Sequence, residues 1–468
     1  MKSDCLHTPS ISASHTLLGS KHAGSNGWWL EVARRGTPWI ERSGDGLCKV
    51  TFFWRDPQGS EFTSPYQRVW ININCLTDHH QSAPPQSLQR LAGTDVWYWQ
   101  IELKSDWRGS YSFIPSVDDR NFTAEFDDAF DRMFAVRSWW RQIFASATHD
   151  LLNPHRSWPG AKGHALSGIH LPDAPPQPAW QDFDNYATSN GRCTPAAPAK
   201  IQRYQWQSTR LGNQRNVWIF TTGEDTTGES NDLASRPLAI LLDGQFWSQK
   251  MPIWDPLMQQ TAQGKLPAAV YVLIDVIDSQ HRSQELTCNA DFWLAVQEEL
   301  LPDISKRAPH SPDPAKTVVA GQSFGGLSSL YAGLHWPQRF GCVLAQSGSF
   351  WWPRRDMLQL EKVPDDACWL PQQIQQGLGQ ESALKIFMEA GRHEGLIHKV
   401  NDSLVNLFKQ SQHRVHYRVV EGGHDALCWR GGLLDGLQAL WADEFVTHQP
   451  ALSFTFDSIK AGAAHGKA

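Results

Sequence analysis

A serine between glycines, followed later by an acidic residue and a histidine, is the feature of this sequence that most directly indicates chemistry. The segment Gly321-Gln322-Ser323-Phe324-Gly325 matches the pattern G-x-S-x-G. In this pattern the serine occupies a sharp turn between a strand and a helix, and the glycines are needed because larger side chains would clash with neighbouring elements. The turn exposes the hydroxyl near the helix N-terminus, where backbone N–H groups stabilise an oxyanion. The segment therefore predicts covalent acyl transfer at Ser323.

A serine nucleophile needs a histidine base and a carboxylate that orients the base. The segments EAGRHE and EGGHD each follow a predicted strand and contain Glu394 and His424. The order serine, acid, histidine is that of α/β-hydrolases. We assign His424 as the base and Glu394 as the acid. Three other carboxylates are less suited, because Asp425 is adjacent to the base, Glu389 is predicted within a strand and Asp402 is predicted within a helix.

Two backbone N–H groups are candidates for an oxyanion hole. One belongs to Phe324, which directly follows the nucleophile. The other belongs to Gln245, in the segment DGQFW that follows an apolar strand pattern at residues 238–242. Donors at these turns would point at the oxygen on which negative charge develops.

The elements that must position these residues follow from the hydrophobic pattern after residue 200. Residues 327–334 have helical spacing, so the nucleophile turn leads into a helix. Apolar segments predict a hairpin and a series of strands separated by helices, at residues 201–208, 216–222, 238–242, 269–274, 317–320, 342–345, 384–388 and 415–420. This alternation predicts a mostly parallel sheet with helices on both faces. We predict an α/β-hydrolase domain over residues 201–447.

The first half of the chain has a different pattern. Segments rich in β-branched and aromatic residues predict short strands at residues 50–54, 68–75, 96–103 and 109–114, and a helix at 131–147 follows. Short strands of this kind are typical of a β-sandwich. We predict an all-β sandwich domain with the following helix over residues 25–170. Residues 153–200 lack sustained periodicity, and 171–200 are assigned as a Pro-rich linker on the surface. Residues 1–24 and those after 449 are predicted to lack fixed structure.

Composition limits the remaining possibilities. With 468 residues the chain is long enough for two domains, and its net charge of −6 argues against a general nucleic-acid binder. No stretch is long enough to span a membrane, and the N-terminal segment lacks the apolar core of a signal peptide. The eight cysteines show no metal-type spacing and are predicted to be reduced, which favours a cytoplasmic protein. We expect no cluster of metal ligands.

Several longer segments resemble bacterial enterochelin (enterobactin) esterases. They are GQSFGG, EAGRHE, EGGHDALCWRGG, PAAVYVLIDVIDSQHRSQELTCNADFWLAVQEELLP and GTDVWYWQIELKSDWRGSYSFIP. The resemblance covers about residues 25 to 447. It implies an N-terminal β-sandwich, an α/β-hydrolase domain of the esterase D type, and hydrolysis of the trilactone esters of ferric catecholate siderophores in the cytoplasm. It also places the catalytic roles on Ser323, Glu394 and His424.

A ferric tris-catecholate is strongly anionic and has flat aromatic faces, so its site should offer cations and aromatic rings. The primary candidates on predicted edge loops are Arg282, Trp351, Trp352 and Arg392. Further candidates nearby are Arg354, Arg355, Arg430, Trp247 and Phe350. Iron is cargo of the substrate, so neither a cofactor nor a protein-bound metal is expected. The N-terminal domain is expected to complete the substrate site, while a fragment beginning near Thr194 is expected to keep activity on small esters.

Two other functions remain compatible with the sequence. One is an esterase for aromatic acyl esters of carbohydrate, in which the β-sandwich binds sugar. The other is a siderophore-binding protein without catalysis. The sequence leaves open which catecholate is preferred, whether glucosylated or iron-free forms are accepted, and the oligomeric state.

Overall fold

A computed structural model describes residues 17–80, 84–119, 122, 129–160, 163–185, 201–223, 233–354 and 368–448. The predicted unstructured segment after residue 449 and the second half of the predicted linker lie outside these residues. Within the described part of the chain, no helix combines the length and apolar character that a membrane crossing requires.

The N-terminal domain consists of two antiparallel sheets. The first sheet has the order β1-β2-β6-β5 and the second has the order β4-β3-β7-β9-β8. The nine strands are β1 Trp39–Gly44, β2 Leu47–Arg55, β3 Arg68–Ile73, β4 Gln86–Ser87, β5 Gln89–Arg90, β6 Val96–Lys104, β7 Arg108–Ser116, β8 Trp158–Pro159 and β9 Ala165–His170. All four predicted strands are present, as β2, β3, β6 and β7.

The two sheets pack face to face through one apolar cluster. Val50 and Phe52 of β2 meet Ile71 of β3 and Tyr111 and Phe113 of β7, and all five side chains are completely buried. Alternate residues of each strand supply this core, as expected for strands with one buried face. The predicted β-sandwich is confirmed.

Two helices flank the sandwich. Helix α1 (Asn26–Arg35) is capped by Ser25, and the ring nitrogen of its residue Trp28 donates to the carbonyl of Leu17 at 3.0 Å. Residues 17–24 therefore pack on the domain, which differs from the predicted lack of structure. Helix α2 (Ala129–Ile143) lies at the predicted position and buries Trp140 against Trp70 of β3.

The stretch without sustained periodicity, residues 153–200, which includes the predicted surface linker, contains ordered and buried parts among its described residues. Strands β8 and β9 extend the second sheet, and helix α3 (Gln181–Asn185) follows them. Trp180 is completely buried in an apolar cluster of the C-terminal domain, and its ring nitrogen donates to the carbonyl of Arg430 at 3.2 Å. The proline-rich composition of this segment did not predict these contacts, because composition does not show which residues of another domain pack against a segment.

The C-terminal domain contains an eight-stranded sheet of order β10-β11-β13-β12-β14-β15-β16-β17. The pairs β10–β11 and β11–β13 are antiparallel and all other neighbours are parallel. The strands are β10 Gln202–Ser208, β11 Asn213–Thr221, β12 Leu238–Leu241, β13 Val270–Ile274, β14 Thr317–Gln322, β15 Cys342–Gln346, β16 Lys385–Gly391 and β17 Arg414–Val420. The predicted hairpin and strands are all present.

Helices cover both faces of this sheet and enclose two apolar clusters. They are α4 Trp254–Ala262, α5 Ser279–Glu285, α6 Ala290–Ala295, α7 Leu301–Arg307, α8 Phe324–His335, α9 Trp369–Gln375, α10 Leu396–Phe408 and α11 Ala426–Trp441. Strands β12, β14, β15, β16 and β17 run parallel, so the loops at their carboxyl ends meet at one edge of the sheet. Those loops contain the residues predicted to carry the chemistry.

Candidate active site

Ser323 stands between strand β14 and helix α8 in a strained conformation, with φ 60° and ψ −120°. Its backbone N–H donates to the carbonyl of Gln346 at 3.0 Å. A Cβ atom at Gly321 would lie 2.5 Å from the carbonyl carbon of Gly325, so the turn requires glycine at position 321. The Ser323 hydroxyl is 3.2 Å from the hydroxyl oxygen of Ser349. This geometry is that of a nucleophile turn.

His424 and Glu394 form a direct pair. Nδ1 of His424 lies 2.8 Å from Oε1 of Glu394, whose side chain is fully buried. The second carboxylate oxygen of Glu394 accepts the N–H of Gly391 at 2.8 Å, which fixes its orientation. The pair engages Nδ1 and leaves Nε2 of His424 as the nitrogen for proton transfer.

The three alternative carboxylates have other partners among the described residues. Asp425 caps helix α11, and burial raises its pKa. Glu389 accepts from Arg418 at 2.7 Å, and Asp402 accepts the hydroxyl of Tyr417 at 2.6 Å. Their hydrogen bonds stabilise strands and helices, so the geometry favours Glu394 as the acid.

The candidate oxyanion donors flank the nucleophile. Phe324 is the first residue of helix α8, where a backbone N–H has no acceptor within the helix. Gln245 lies after β12 and lines the same cavity as Ser323. A Cβ at Gly244 would lie 2.6 Å from the backbone nitrogen of Ile274, so glycine allows this turn to pack on β13.

Arg282 connects the two turns. It donates to both carboxylate oxygens of Asp243 at 2.6 and 2.8 Å and to the carbonyl of Gln322 at 3.2 Å. Burial alone would lower the pKa of Arg282, but its pairing with Asp243 raises the pKa above the ordinary value. Arg282 lines the cavity, as predicted for a substrate contact, while its hydrogen bonds hold the Asp243 turn against the nucleophile strand.

Three other predicted substrate contacts are not among the residues that line the cavity in the described part of the chain. Trp351 packs at 5.8 Å from the ring of Phe324, and Trp352 packs at 6.0 Å from the ring of Trp369. Arg392 donates to a carboxylate oxygen of Glu421 at 2.9 Å and is half exposed. These three residues lie outside the cavity lining, and their contacts with a substrate remain predictions.

The further candidates behave differently from one another. Trp247 is among the residues at the cavity but is itself almost completely buried, and Phe350 is completely buried in the core. Arg430 is also completely buried and pairs with Asp184 at 2.7 and 2.6 Å, so it ties helix α3 of the linker to the C-terminal domain and is not a substrate ligand. Arg354 lies outside the cavity lining, and Arg355 lies outside the described residues.

The N-terminal domain contacts His424, the predicted base, directly, and this contact was not predicted from the sequence. Nδ2 of Asn74 donates to the backbone carbonyl of His424 at 3.0 Å, and the N–H of His424 donates to Sγ of Cys75 at 3.2 Å. The N–H of Arg108 donates to the carbonyl of Glu421 at 3.1 Å. The sequence signal for this contact was the pair Asn74 and Cys75, which directly follows the alternating segment RVWINI. A fragment that begins near Thr194 would lack these hydrogen bonds to the loop of His424, and its expected activity on small esters remains a prediction.

A cavity of about 700 Å³ opens at Ser323 and His424 and is shared by the domains. The N-terminal domain contributes Asn72, Asn74, Asp78, His79, His80, Ser110, Phe144, Trp158, Gly160, His164 and Leu166. The C-terminal domain contributes Asp243, Gln245, Phe246, Trp247, Lys250, Asp278, Arg282, Trp429 and neighbouring residues. A site of this size accommodates a ligand much larger than a short acyl chain.

A further feature of this cavity is a group of three potential metal ligands, which was not anticipated from the sequence. Asp78, His79 and His80 present potential ligand atoms that all lie within 4.8 Å of one another. They follow strand β3 in a turn and are adjacent in sequence, whereas the usual metal-site motifs separate their ligands by two or more residues.

Comparison with known proteins agrees with this architecture. Residues 49–180 match the family model described as enterochelin esterase, N-terminal, and residues 228–440 match the model described as putative esterase. The iron(III) enterobactin esterase of Escherichia coli K12 is 48% identical over 422 residues, which are 90% of this chain and 98% of that protein.

Two solved structures show the same fold. Ferric enterobactin esterase from Salmonella typhimurium has 49% identity and a TM-score of 0.77, covering 89% of this chain and 98% of its own. An enterobactin esterase from Shigella flexneri, solved in the presence of enterobactin, has 48% identity and a TM-score of 0.73, with the same coverage. The predicted fold class and the predicted resemblance are confirmed.

Proposed function

Because this chain belongs to the enterochelin (enterobactin) esterase family, we propose that it is a serine esterase that hydrolyses the trilactone esters of ferric enterobactin-type siderophores. The observation that carries this proposal is the 2.8 Å pair of Glu394 and His424, because His424 lines the same cavity as the strained Ser323. A triad of this kind performs acyl transfer and requires no metal.

The proposed reaction begins when Ser323 Oγ attacks the ester carbonyl and His424 Nε2 accepts its proton. Glu394 holds the tautomer and stabilises the imidazolium, while the N–H groups of Phe324 and Gln245 stabilise the oxyanion. His424 then protonates the departing hydroxyl, and water releases the acyl group from Ser323. The hydroxyl contact with Ser349 is replaced when substrate binds, because catalytic hydrogen bonds commonly form only in the complex.

The size and composition of the cavity support a bulky aromatic substrate. It is built by both domains, and the partly exposed aromatic residues Phe246 and Trp429 are among those that line it. Three catechols attached to one ring hold iron at high effective concentration, and cutting the ring lengthens the connection between them. Hydrolysis therefore weakens iron binding without any redox step.

Iron release is proposed to occur in the cytoplasm. In the described part of the chain, Cys48, Cys75, Cys288, Cys342, Cys368 and Cys428 form no disulfide. Cysteines kept as thiols are typical of proteins that work in a reducing compartment.

The test is hydrolysis by the purified protein, followed by chromatography of ferric and iron-free enterobactin. We expect linear products from both, and labelling of Ser323 by a fluorophosphonate. Faster cleavage of a feruloyl sugar ester than of either trilactone would favour the carbohydrate esterase instead. Binding of the siderophore without turnover or labelling would show a non-catalytic binding protein.

A further inference from the structure

Lys250 lies in the catalytic cavity, and the reaction described above does not use it. In the described part of the chain, the Lys and Arg side chains that line this cavity are Lys250 and Arg282. The Arg282 guanidinium is paired with Asp243 at 2.6 Å, whereas Lys250 forms no ion pair with a carboxylate of the described residues. The ammonium charge of Lys250 is therefore not neutralised by a protein group.

The hydrogen bonding of Lys250 also leaves room for a ligand. Among the described residues its Nζ has one acceptor, the backbone carbonyl of Gly160 in the N-terminal domain, at 3.4 Å. This contact is long, since N–H donors usually lie about 2.9 Å from a carbonyl oxygen. An ammonium has three N–H donors, so two remain for an incoming acceptor. The contact with Gly160 places the Lys250 ammonium where the two domains meet.

Lys250 ends a short helix that begins at the candidate oxyanion turn. The helix, Phe246–Lys250, directly follows Gln245. The N–H of Met251 donates to the carbonyl of Phe246, five positions earlier, at 3.0 Å. In a turn of this width, residues four positions apart lie near the same face. Phe246 and Lys250 accordingly both line the cavity, so an aromatic ring and a cation are offered together.

A buried hydrogen bond fixes this helix beside the nucleophile. The ring nitrogen of Trp247 donates to Oε1 of Gln322 at 3.1 Å, and Gln322 directly precedes Ser323. Trp247 is almost completely buried, so movement of the helix would break a hydrogen bond that water does not replace. Lys250 therefore has a defined place in the cavity, about one helical turn from Gln245.

The acidic residues of the cavity make such a cation necessary for an anionic ligand. Asp78, Asp243, Asp278 and Asp425 line the cavity, and each accepts an N–H group of the protein. Carboxylates repel a strongly anionic ligand unless a positive charge lies beside the charged atoms of that ligand. Lys250 is half-buried, and salt screens charges in such positions less than charges at the surface.

We propose that Lys250 binds the oxygens of one catecholate of the substrate, with Phe246 against the ring of that catecholate, and so favours the ferric form over the iron-free form. This inference rests on the proposed function. Iron displaces the hydroxyl protons of the catechols, so the ferric complex carries negative charge that the iron-free ligand lacks. The hydrogen bond from the Lys250 ammonium is therefore charged on both sides with the ferric form alone, and such bonds are the stronger ones.

The first measurement separates binding from turnover. Binding of ferric and iron-free enterobactin is followed by tryptophan fluorescence in Ser323→Ala protein that carries lysine, glutamine or arginine at position 250. Glutamine retains N–H donors but has no charge. We expect Lys250→Gln to raise Kd for the ferric form by about 10-fold and Kd for the iron-free form much less, and Lys250→Arg to retain most of the ferric affinity.

The matched control for binding is Lys265→Gln, the same loss of charge at an exposed position outside the cavity. This control should leave both Kd values unchanged. An unchanged Kd for the ferric form in Lys250→Gln would overturn the proposal, because Lys250 would then serve only as a contact between the domains. An equal rise for the ferric and iron-free forms would overturn it as well, since the charge of the ligand would not matter.

Salt dependence tests the charge directly. Attraction between the Lys250 ammonium and the ferric complex weakens as salt is added, so Kd for the ferric form should rise more steeply with salt for the lysine protein than for Lys250→Gln. The same dependence in both proteins would contradict an ionic contact at Lys250.

The last measurement compares kcat/KM of Lys250→Gln on ferric enterobactin, iron-free enterobactin and p-nitrophenyl butyrate. We expect the ratio of the ferric value to each of the other two to fall by about 10-fold. Equal losses on all three substrates would show that Lys250 acts through the packing of the domains, and unchanged ratios would show that it does not contact the substrate. Wild-type protein that cleaves neither trilactone would refute the proposed function, and the Kd comparison would still decide whether Lys250 binds the ferric ligand.

Discussion

Asn74 of the N-terminal domain donates a hydrogen bond from its side-chain nitrogen to the backbone carbonyl of His424 at 3.0 Å, across 350 positions of sequence. A Cβ atom at Gly423 would lie 2.6 Å from Oδ1 of Asn74, so the two segments are in close contact. The loop of the base is thus supported from outside the hydrolase domain. Substitutions at Asn74 should therefore affect turnover, even though Asn74 has no proposed part in the chemical steps.

Asn74→Ala should lower kcat by about 10-fold on p-nitrophenyl butyrate and on ferric enterobactin alike, because a misplaced base affects every ester. Initial rates at saturating substrate measure the effect. Asn289→Ala, which removes the cap of helix α6 far from the cavity, is the control: it should cost about 1 kcal/mol of stability but leave kcat unchanged. A loss confined to the siderophore would instead indicate a substrate contact at Asn74.

Ser323→Ala should abolish turnover and leave siderophore binding nearly intact, because the hydroxyl forms the covalent bond and supplies little contact surface. Chromatography of products and fluorescence quenching measure the two properties. Ser349→Ala is the matched control, since its hydroxyl lies 3.2 Å from that of Ser323. Ser349→Ala should retain most activity, and a complete loss there with activity retained in Ser323→Ala would reverse the assignment.

Glu394→Gln should lower kcat strongly, by up to about 10⁴-fold, because an amide does not hold the histidine tautomer as a carboxylate does. Asp425→Asn should lower kcat much less, since Asp425 accepts from the N–H of Ser110 at 2.7 Å and from that of Leu427 at 2.8 Å. Its main effect should be on thermal stability. Steady-state kinetics and melting curves separate the two, and a greater kinetic loss at Asp425 would contradict the proposed roles.

Asp184→Asn should destabilise the protein by about 3 kcal/mol, because it leaves the completely buried guanidinium of Arg430 without its ionic partner. The urea midpoint measures this change. Asp173→Asn is the control, since Asp173 pairs with Arg42 at an exposed position and should have little effect on the midpoint. Similar midpoints for the two variants would show that the buried pair does not stabilise the packing of helix α3 on the C-terminal domain.

Gly321→Ala should destabilise the fold by about 3 kcal/mol, because the new methyl group would lie 2.5 Å from the backbone of Gly325. The yield of folded protein and its melting temperature measure the effect. Gly27→Ala is the matched control: no atom lies within 4 Å of its added Cβ, and alanine favours helix α1. The control should therefore be neutral or slightly stabilising, whereas a folded and active Gly321→Ala protein would contradict the nucleophile turn.

Much of the fold was predictable because it depends on local patterns. Apolar strands alternating with helices correctly predicted the hydrolase sheet, and the period of two in RVWINI correctly predicted β3. The proline-rich composition around Trp180 wrongly predicted a linker on the surface. In the structure Trp180 is buried in an apolar cluster of the C-terminal domain. Predicted roles for Arg392 and Arg430 rested on loop position alone, which does not show the carboxylates that pair with them.

The sequence by itself determined the strand, turn and helix around Ser323, because the glycine requirement and the hydrophobic periods act between residues close in the chain. It also placed Glu394 and His424 in loops at one sheet edge, since parallel strands bring their carboxyl ends together. Only the tertiary structure decided that Asn74 holds the base and that the Asp78–His80 pair faces it. Those contacts depend on how two domains pack, and no local pattern encodes side chains that meet across hundreds of residues.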